Sequence, residues 1–176
     1  MTEQIFHDEN NAYKFDFSAA LWATNKLNDI YHQCNIGILS DVDFVFETAD
    51  KIYLVEYKNA CILNAVRPDA FTPNAQKSQN KIAFKFYDSW LYVKAIGKQK
   101  PIVYVYILEY PHSDPDARKR IKVDIAKLLP FKLQKLPEIK ERMIDCFEVL
   151  SIEEWNKHHI FSAFPITPLL HSEHEG

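Results

Sequence analysis

Glycine is scarce in this chain, with 3 in 176 residues. Loops that wrap phosphates need glycines at close spacing, because only a residue without a Cβ lets the backbone approach so near. Neither G-x-G-x-x-G nor G-x-x-x-x-G-K-[ST] occurs, which argues against a P-loop or a dinucleotide fold. Cysteine is as rare. Cys34, Cys61 and Cys146 are odd in number, widely spaced and free of any C-x-x-C, so no disulfide framework is expected. They read as reduced, mostly core residues of an intracellular protein. An excess of positive charge is also missing. The 21 Lys and Arg against 24 Asp and Glu leave a net charge of −3, so any hold on nucleic acid must come from local patches. No stretch approaches the roughly 20 apolar residues of a membrane span. The first 14 residues are polar and mixed in charge, with no apolar signal core. The expectation is a cytoplasmic chain with no membrane partner.

What is present is hydrophobic material: 47% apolar residues, with 12 Phe, 9 Tyr and 3 Trp. That is too much for a disordered chain, and 176 residues suit a single domain with a sizeable core. Helical spacing of Leu21, Trp22, Ala23, Leu27, Ile30 and Tyr31, behind Ser18 as an N-cap, predicts a helix over 18–34. Two β-branched and aromatic runs, 41–46 and 52–58, flank the polar stretch 47–51 and predict an antiparallel hairpin. A helix is expected over 74–95, with Ile82, Phe86, Trp90 and Val93 on one face. The nearly continuous apolar run 102–108 predicts a central strand covered on both sides. A helix over 114–129, a short strand over 147–150 and a short helix opened by the capping box Ser151/Glu154 complete the order. The tail from about 165 is expected to be loosely ordered. This order predicts an α/β domain spanning 1–176, with a central mixed β-sheet flanked by helices.

The chemistry concentrates in the hairpin. Side chains alternate along a strand, so Asp41, Asp43 and Val45 share one face, as do Ile52, Leu54, Glu56 and Lys58. If Glu47 pairs with Ile52, Asp43 falls opposite Glu56 and Asp41 opposite Lys58; a one-residue slip would change this. Two such close carboxylates form a costly like-charge pair unless a cation joins them. Oxygen ligands completed by water and a substrate phosphate suit Mg²⁺ or Mn²⁺. Lys58, on the same face, could position the attacking water or neutralise charge developing on the phosphate. Against this stands the plain alternative that acids beside a strand turn, and a Glu-x-Lys pair, are solvated charges of an unrelated α/β domain.

Asp41-Val-Asp43-Phe-Val-Phe46, followed by Ile52-Tyr-Leu-Val-Glu56-Tyr-Lys58, resembles the core of the PD-(D/E)XK nuclease superfamily. The resemblance covers the element order over 18–110 and lacks the proline before the aspartate. It implies a restriction-endonuclease-like core and a metal-dependent endonuclease acting on DNA, with RNA left open. It also implies Asp43 and Glu56 as metal ligands and Lys58 as the catalytic lysine. Asp41 is the alternative for Asp43, and Asp29 or Asp16 are the candidates for an acid supplied by the first helix. The helix after the hairpin, which packs beside the site in that family, carries Gln76, Lys77, Lys81 and Lys85. The lysines lie four apart and could meet phosphate or simply form a solvated face. Arg118, Lys119, Arg120 and Lys122 form a second basic cluster with the same two readings. A homodimer would suit cleavage of two strands. The alternative to catalysis is a nuclease-like fold retained as a nucleic-acid- or protein-binding module.

Overall fold

The computed structural model describes residues 4–62, 70–111 and 113–169. Two sheets share the chain. Strands β3 (Trp22–Thr24), β4 (Phe44–Glu47), β5 (Ile52–Asn59), β6 (Ile102–Glu109) and β7 (Cys146–Leu150) form a five-stranded sheet in that order. β3, β4 and β5 run antiparallel, whereas β5, β6 and β7 run parallel, so the sheet is mixed and the fold is α/β. The second sheet is antiparallel, in the order β1 (Ile5–His7), β2 (Tyr13–Asp16), β8 (Ile166–Pro168). Helices α1 (Leu27–Gln33), α2 (Gln76–Ala95), α3 (Pro115–Ala126) and α4 (Ile152–Lys157), with single 3-10 turns at Leu133–Lys135 and Phe161–Ala163, complete the described elements.

The main sheet buries both faces, as its apolar central strands require. On one face Val45, Ile52, Leu54, Tyr104 and Tyr106 meet Ile82, Phe86 and Val93 of α2 and Ile121 and Ile125 of α3. On the other, Phe44, Phe46, Tyr53, Val55 and Val105 meet Phe15 and Phe17 from the small-sheet side and Trp155 of α4. β6 lies between β5 and β7 with seven of its eight residues buried, in keeping with its continuous apolar run. α2 stops where Gly97 takes a φ of +80°, a left-handed turn that a residue with a Cβ resists. The Gly97 and Lys98 N–H groups donate to the Lys94 and Val93 carbonyls, closing the helix end. Asp114 caps α3 by accepting from the Ala117 N–H, and the Ser151/Glu154 capping box is formed at α4.

Several expectations need correction. The helix expected over 18–34 begins only at Leu27; Trp22–Thr24 instead pair with β4 as the edge strand β3. There the Leu21 N–H donates to the Glu47 carbonyl, and the Leu21 side chain is 67% exposed rather than packed on a helical core face. Ile166–Pro168, within the tail expected to be loosely ordered, form β8, and Ile166 is buried in the core shared with Phe15 and Trp155, whereas 170–176 of that tail lie outside the described residues. The cysteines are free but not core residues: Cys34 and Cys61 are exposed and Cys146 is half-buried. Arg118 is not a surface cation. Its guanidinium is buried, donates twice to Glu154 and once to Ser113, and so ties α3 to α4. Lys122 pairs with Glu148 of β7. No helix among the described residues is long and apolar enough to cross a membrane.

Candidate functional site

The register of the β4–β5 hairpin positions the carboxylates. Glu47 pairs with Ile52, Val45 with Leu54 and Phe44 with Val55. One residue further, Asp43 stands across from Glu56, on the face of Val45 and Leu54 that looks toward α2. The hairpin closes through the Thr48 N–H, which donates to the Lys51 carbonyl at 2.9 Å. A hydrogen bond from the Tyr57 N–H to Asp43 Oδ2 at 2.7 Å fixes the aspartate at the strand end. Glu56 is buried, and its Oε2 accepts from Lys85 Nζ of α2 at 2.8 Å. Among the described residues neither Asp43 Oδ1 nor Glu56 Oε1 receives a protein hydrogen bond.

These residues line one wall of a cleft of about 450 Å³ at the end of the main sheet. Lys58, Lys81, Lys85 and Ser78 form a basic side, with Phe71 beside Lys58. Lys58 is exposed, and its ammonium lies 5.8 Å from the centre of the Phe71 ring. Asp41 also lines the cleft, where its Oδ1 accepts from Asn28 Nδ2 at 3.1 Å. Asp29 is exposed on α1 and Asp16 accepts from the Ser18 N–H; neither lines the cleft. Of the four α2 residues expected to meet phosphate, Lys81 and Lys85 line the cleft, whereas Gln76 and Lys77 do not. The helical twist separates them: positions 78, 81, 82 and 85 share the face turned to the cleft.

Sequence reasoning missed the rest of the lining. His7 at the end of β1, Asp8, Glu9 and Asn10 of the β1–β2 turn, Asn25, and Asn28 of α1 also line the cleft. Asp8 Oδ1 accepts from the Ala12 and Tyr13 N–H groups at 2.7 Å each, and Asn11 takes a φ of 51°. That turn was legible in principle, since Asp8-Glu-Asn-Asn11 is a run of turn-forming residues between two aromatic segments.

Electrostatics follow from burial. The Glu56 carboxyl is pushed well above the usual range by desolvation and then by the Asp43 charge, with Lys85 acting against both. Desolvation raises Asp43 as well, opposed by Lys85 and by the Tyr57 N–H. Burial alone would lower the Lys85 ammonium, yet the Glu56 and Asp43 charges prevail and hold it above its ordinary value. Tyr106, beside Glu56 in the β5–β6 ladder, is pushed up by burial and then by Glu56 and Asp43. The site thus holds two repelling carboxylates and one close ammonium. Asp43 Oδ1 and Glu56 Oε1, free of protein donors among the described residues, are hard oxygen donors of the kind that Mg²⁺ or Mn²⁺ prefers. No group of three or more His, Cys, Asp or Glu side chains is arranged to hold a metal among the described residues. Comparison of the chain with protein-family models, curated proteins and solved structures finds no match.

Proposed function

We propose that this protein is a metal-dependent nuclease, with a restriction-endonuclease-like core, that hydrolyses phosphodiester bonds of DNA. The observation that carries this reading is the Asp43–Glu56 juxtaposition at the end of a two-sided hydrophobic hairpin, opening into a cleft with three lysines on one wall. Placing a buried and a half-buried acid face to face works against folding, and perturbed carboxylates of this kind cluster at functional sites. Asp43 and Glu56 would hold Mg²⁺ or Mn²⁺. A divalent ion there supplies Lewis-acid polarisation of the phosphodiester and a more acidic bound water. Lys58, at the cleft mouth on the face of Glu56, meets the scissile phosphate and offsets the charge that builds on it. Lys81 extends the basic wall along the same backbone and makes binding salt-dependent.

A second reading is favoured by the Lys85–Glu56 ion pair, which neutralises one carboxylate without any metal. On that reading the fold serves as a nucleic-acid- or protein-binding module. Incubation of the purified chain with plasmid, branched DNA and RNA, with Mg²⁺, with Mn²⁺ and with chelator, separates the two. Metal-dependent cutting lost in Glu56→Ala supports the nuclease. Retention of nucleic acid without cutting in any condition supports the binding module.

A further inference from the structure

Lys85 was legible in the sequence only as one lysine of a stripe, yet it is the one that reaches the carboxylates. Its side chain is 16% exposed and that of Glu56 7%, and their charged atoms lie 2.8 Å apart. Lys58 makes no such contact; its ammonium stands over Phe71. We propose that Lys85 is the resident counter-cation of the Asp43–Glu56 pair, competing with a divalent ion for Glu56 and so setting how tightly that ion binds. This rests on the metal reading of the site given above and adds a residue to it.

The physical case is one of shared oxygens. A carboxylate oxygen engaged by an ammonium at hydrogen-bond distance cannot give its full charge to a second cation. Two cations close together also repel, strongly so where water is largely excluded. Lysine suits this role because its ammonium is a point charge on a flexible four-carbon stem. It can leave Glu56 and turn along the cleft wall toward Lys81 and Ser78, where a phosphate oxygen would accept from it. Metal and phosphate binding are then linked through one side chain. Loss of the Lys85 charge favours the metal and disfavours the phosphate.

The test is a calorimetric titration of the full chain with Mn²⁺ alone, at neutral pH and low salt, in wild type, Lys85→Gln, Lys85→Arg and Lys77→Gln, after thermal melts show which variants fold. Lys85→Gln is expected to bind Mn²⁺ about tenfold more tightly or better, a floor well below the roughly thousandfold that one unit charge ~4 Å away contributes at an effective dielectric of ~20. Lys85→Arg, whose planar fork can grip both Glu56 oxygens, is expected to bind more weakly than wild type. Lys77→Gln, an exposed α2 lysine that does not line the cleft, should stay within about twofold. Silence in wild type with binding in Lys85→Gln also supports the proposal. Wild-type binding that is unchanged or weakened in Lys85→Gln overturns it and leaves the metal site standing. Should Lys85→Gln fail to fold, equal or tighter binding by Lys85→Arg overturns it. Silence in every variant overturns this proposal and the metal reading together.

Discussion

Removing the Lys85 charge should cost stability in a way that only its carboxylate partner can explain. In Lys85→Met the buried Glu56 is left facing Asp43 with no ammonium at 2.8 Å. Breaking a buried ion pair from one side costs about 3–5 kcal/mol. Two features of this site favour the lower end. Exposed Lys81 still supplies some positive charge, and Glu56, whose pKa is already raised by burial, can protonate instead of remaining charged. Protonation caps the cost at about 1.4 kcal/mol for each unit that the pH stands above the ordinary, unfolded-chain value of 4.5. The expectation is a loss of about 3 kcal/mol in urea unfolding at pH 7 with chelator present. Replacing both partners, in Lys85→Met/Glu56→Leu, removes the stranded charge and relieves the repulsion at Asp43. That double variant should recover about 2 kcal/mol or more of the single variant's loss. Lowering the pH should shrink the Lys85→Met deficit as Glu56 protonates. A Lys85→Met protein within about 0.5 kcal/mol of wild type, or a double variant no better than the single, would refute the reasoning.

Arg118→Ala should lose about 2–3 kcal/mol in the same assay, because it strands Glu154 and frees α3 from α4, whereas Arg120→Ala, on the exposed side, should change little. Glu47 sits between Lys98 and Lys100, whose hydrogen bonds hold its carboxyl below the ordinary 4.5. Its contribution is therefore present above pH 4.5 and lost as the pH falls through the lower folded value, so the stability gap between wild type and Glu47→Gln should close on acidification below 4.5 in urea midpoints. Phe86→Ala, at a fully buried position of α2, should cost about 3–5 kcal/mol. Phe84→Ala, where the ring is 59% exposed, should cost under about 0.5 kcal/mol, as read from denaturation midpoints.

The parts of the fold that could be read from the sequence are those fixed by local contacts. The β4–β5 register follows from a short polar turn between two apolar runs, and Glu47 does pair with Ile52. β6 is legible because burial on both faces leaves an unbroken apolar string, and the α4 capping box because its partners are three residues apart. β1, β2 and β8 escaped notice for the opposite reason. They are three or four residues long, too short to show a clear alternation, and β8 gains its definition from pairing across most of the chain, Pro168 with Tyr13. Trp22 and Ala23 fit a helical spacing equally well, and the pairing with β4 decides between the two states. At the site, Asp43, Glu56 and Lys58 could be placed from strand alternation together with the Glu47–Ile52 register. The ion pair of Lys85 could not, since spacing along α2 says which lysines share a face but not which one reaches a carboxylate on another element. The amide and acidic wall around Asn25, Asn28 and Glu9 likewise depends on long-range packing.

The central claim is that Asp43 and Glu56 together make a divalent-cation site. Mn²⁺ calorimetry on Glu56→Ala and Asp43→Asn, each built in the wild-type and in the Lys85→Gln background, tests it most directly. The account predicts one bound ion per chain in at least the Lys85→Gln background, weakened tenfold or more by either carboxylate substitution. Binding that survives both substitutions unchanged, or no binding in either background, would contradict it.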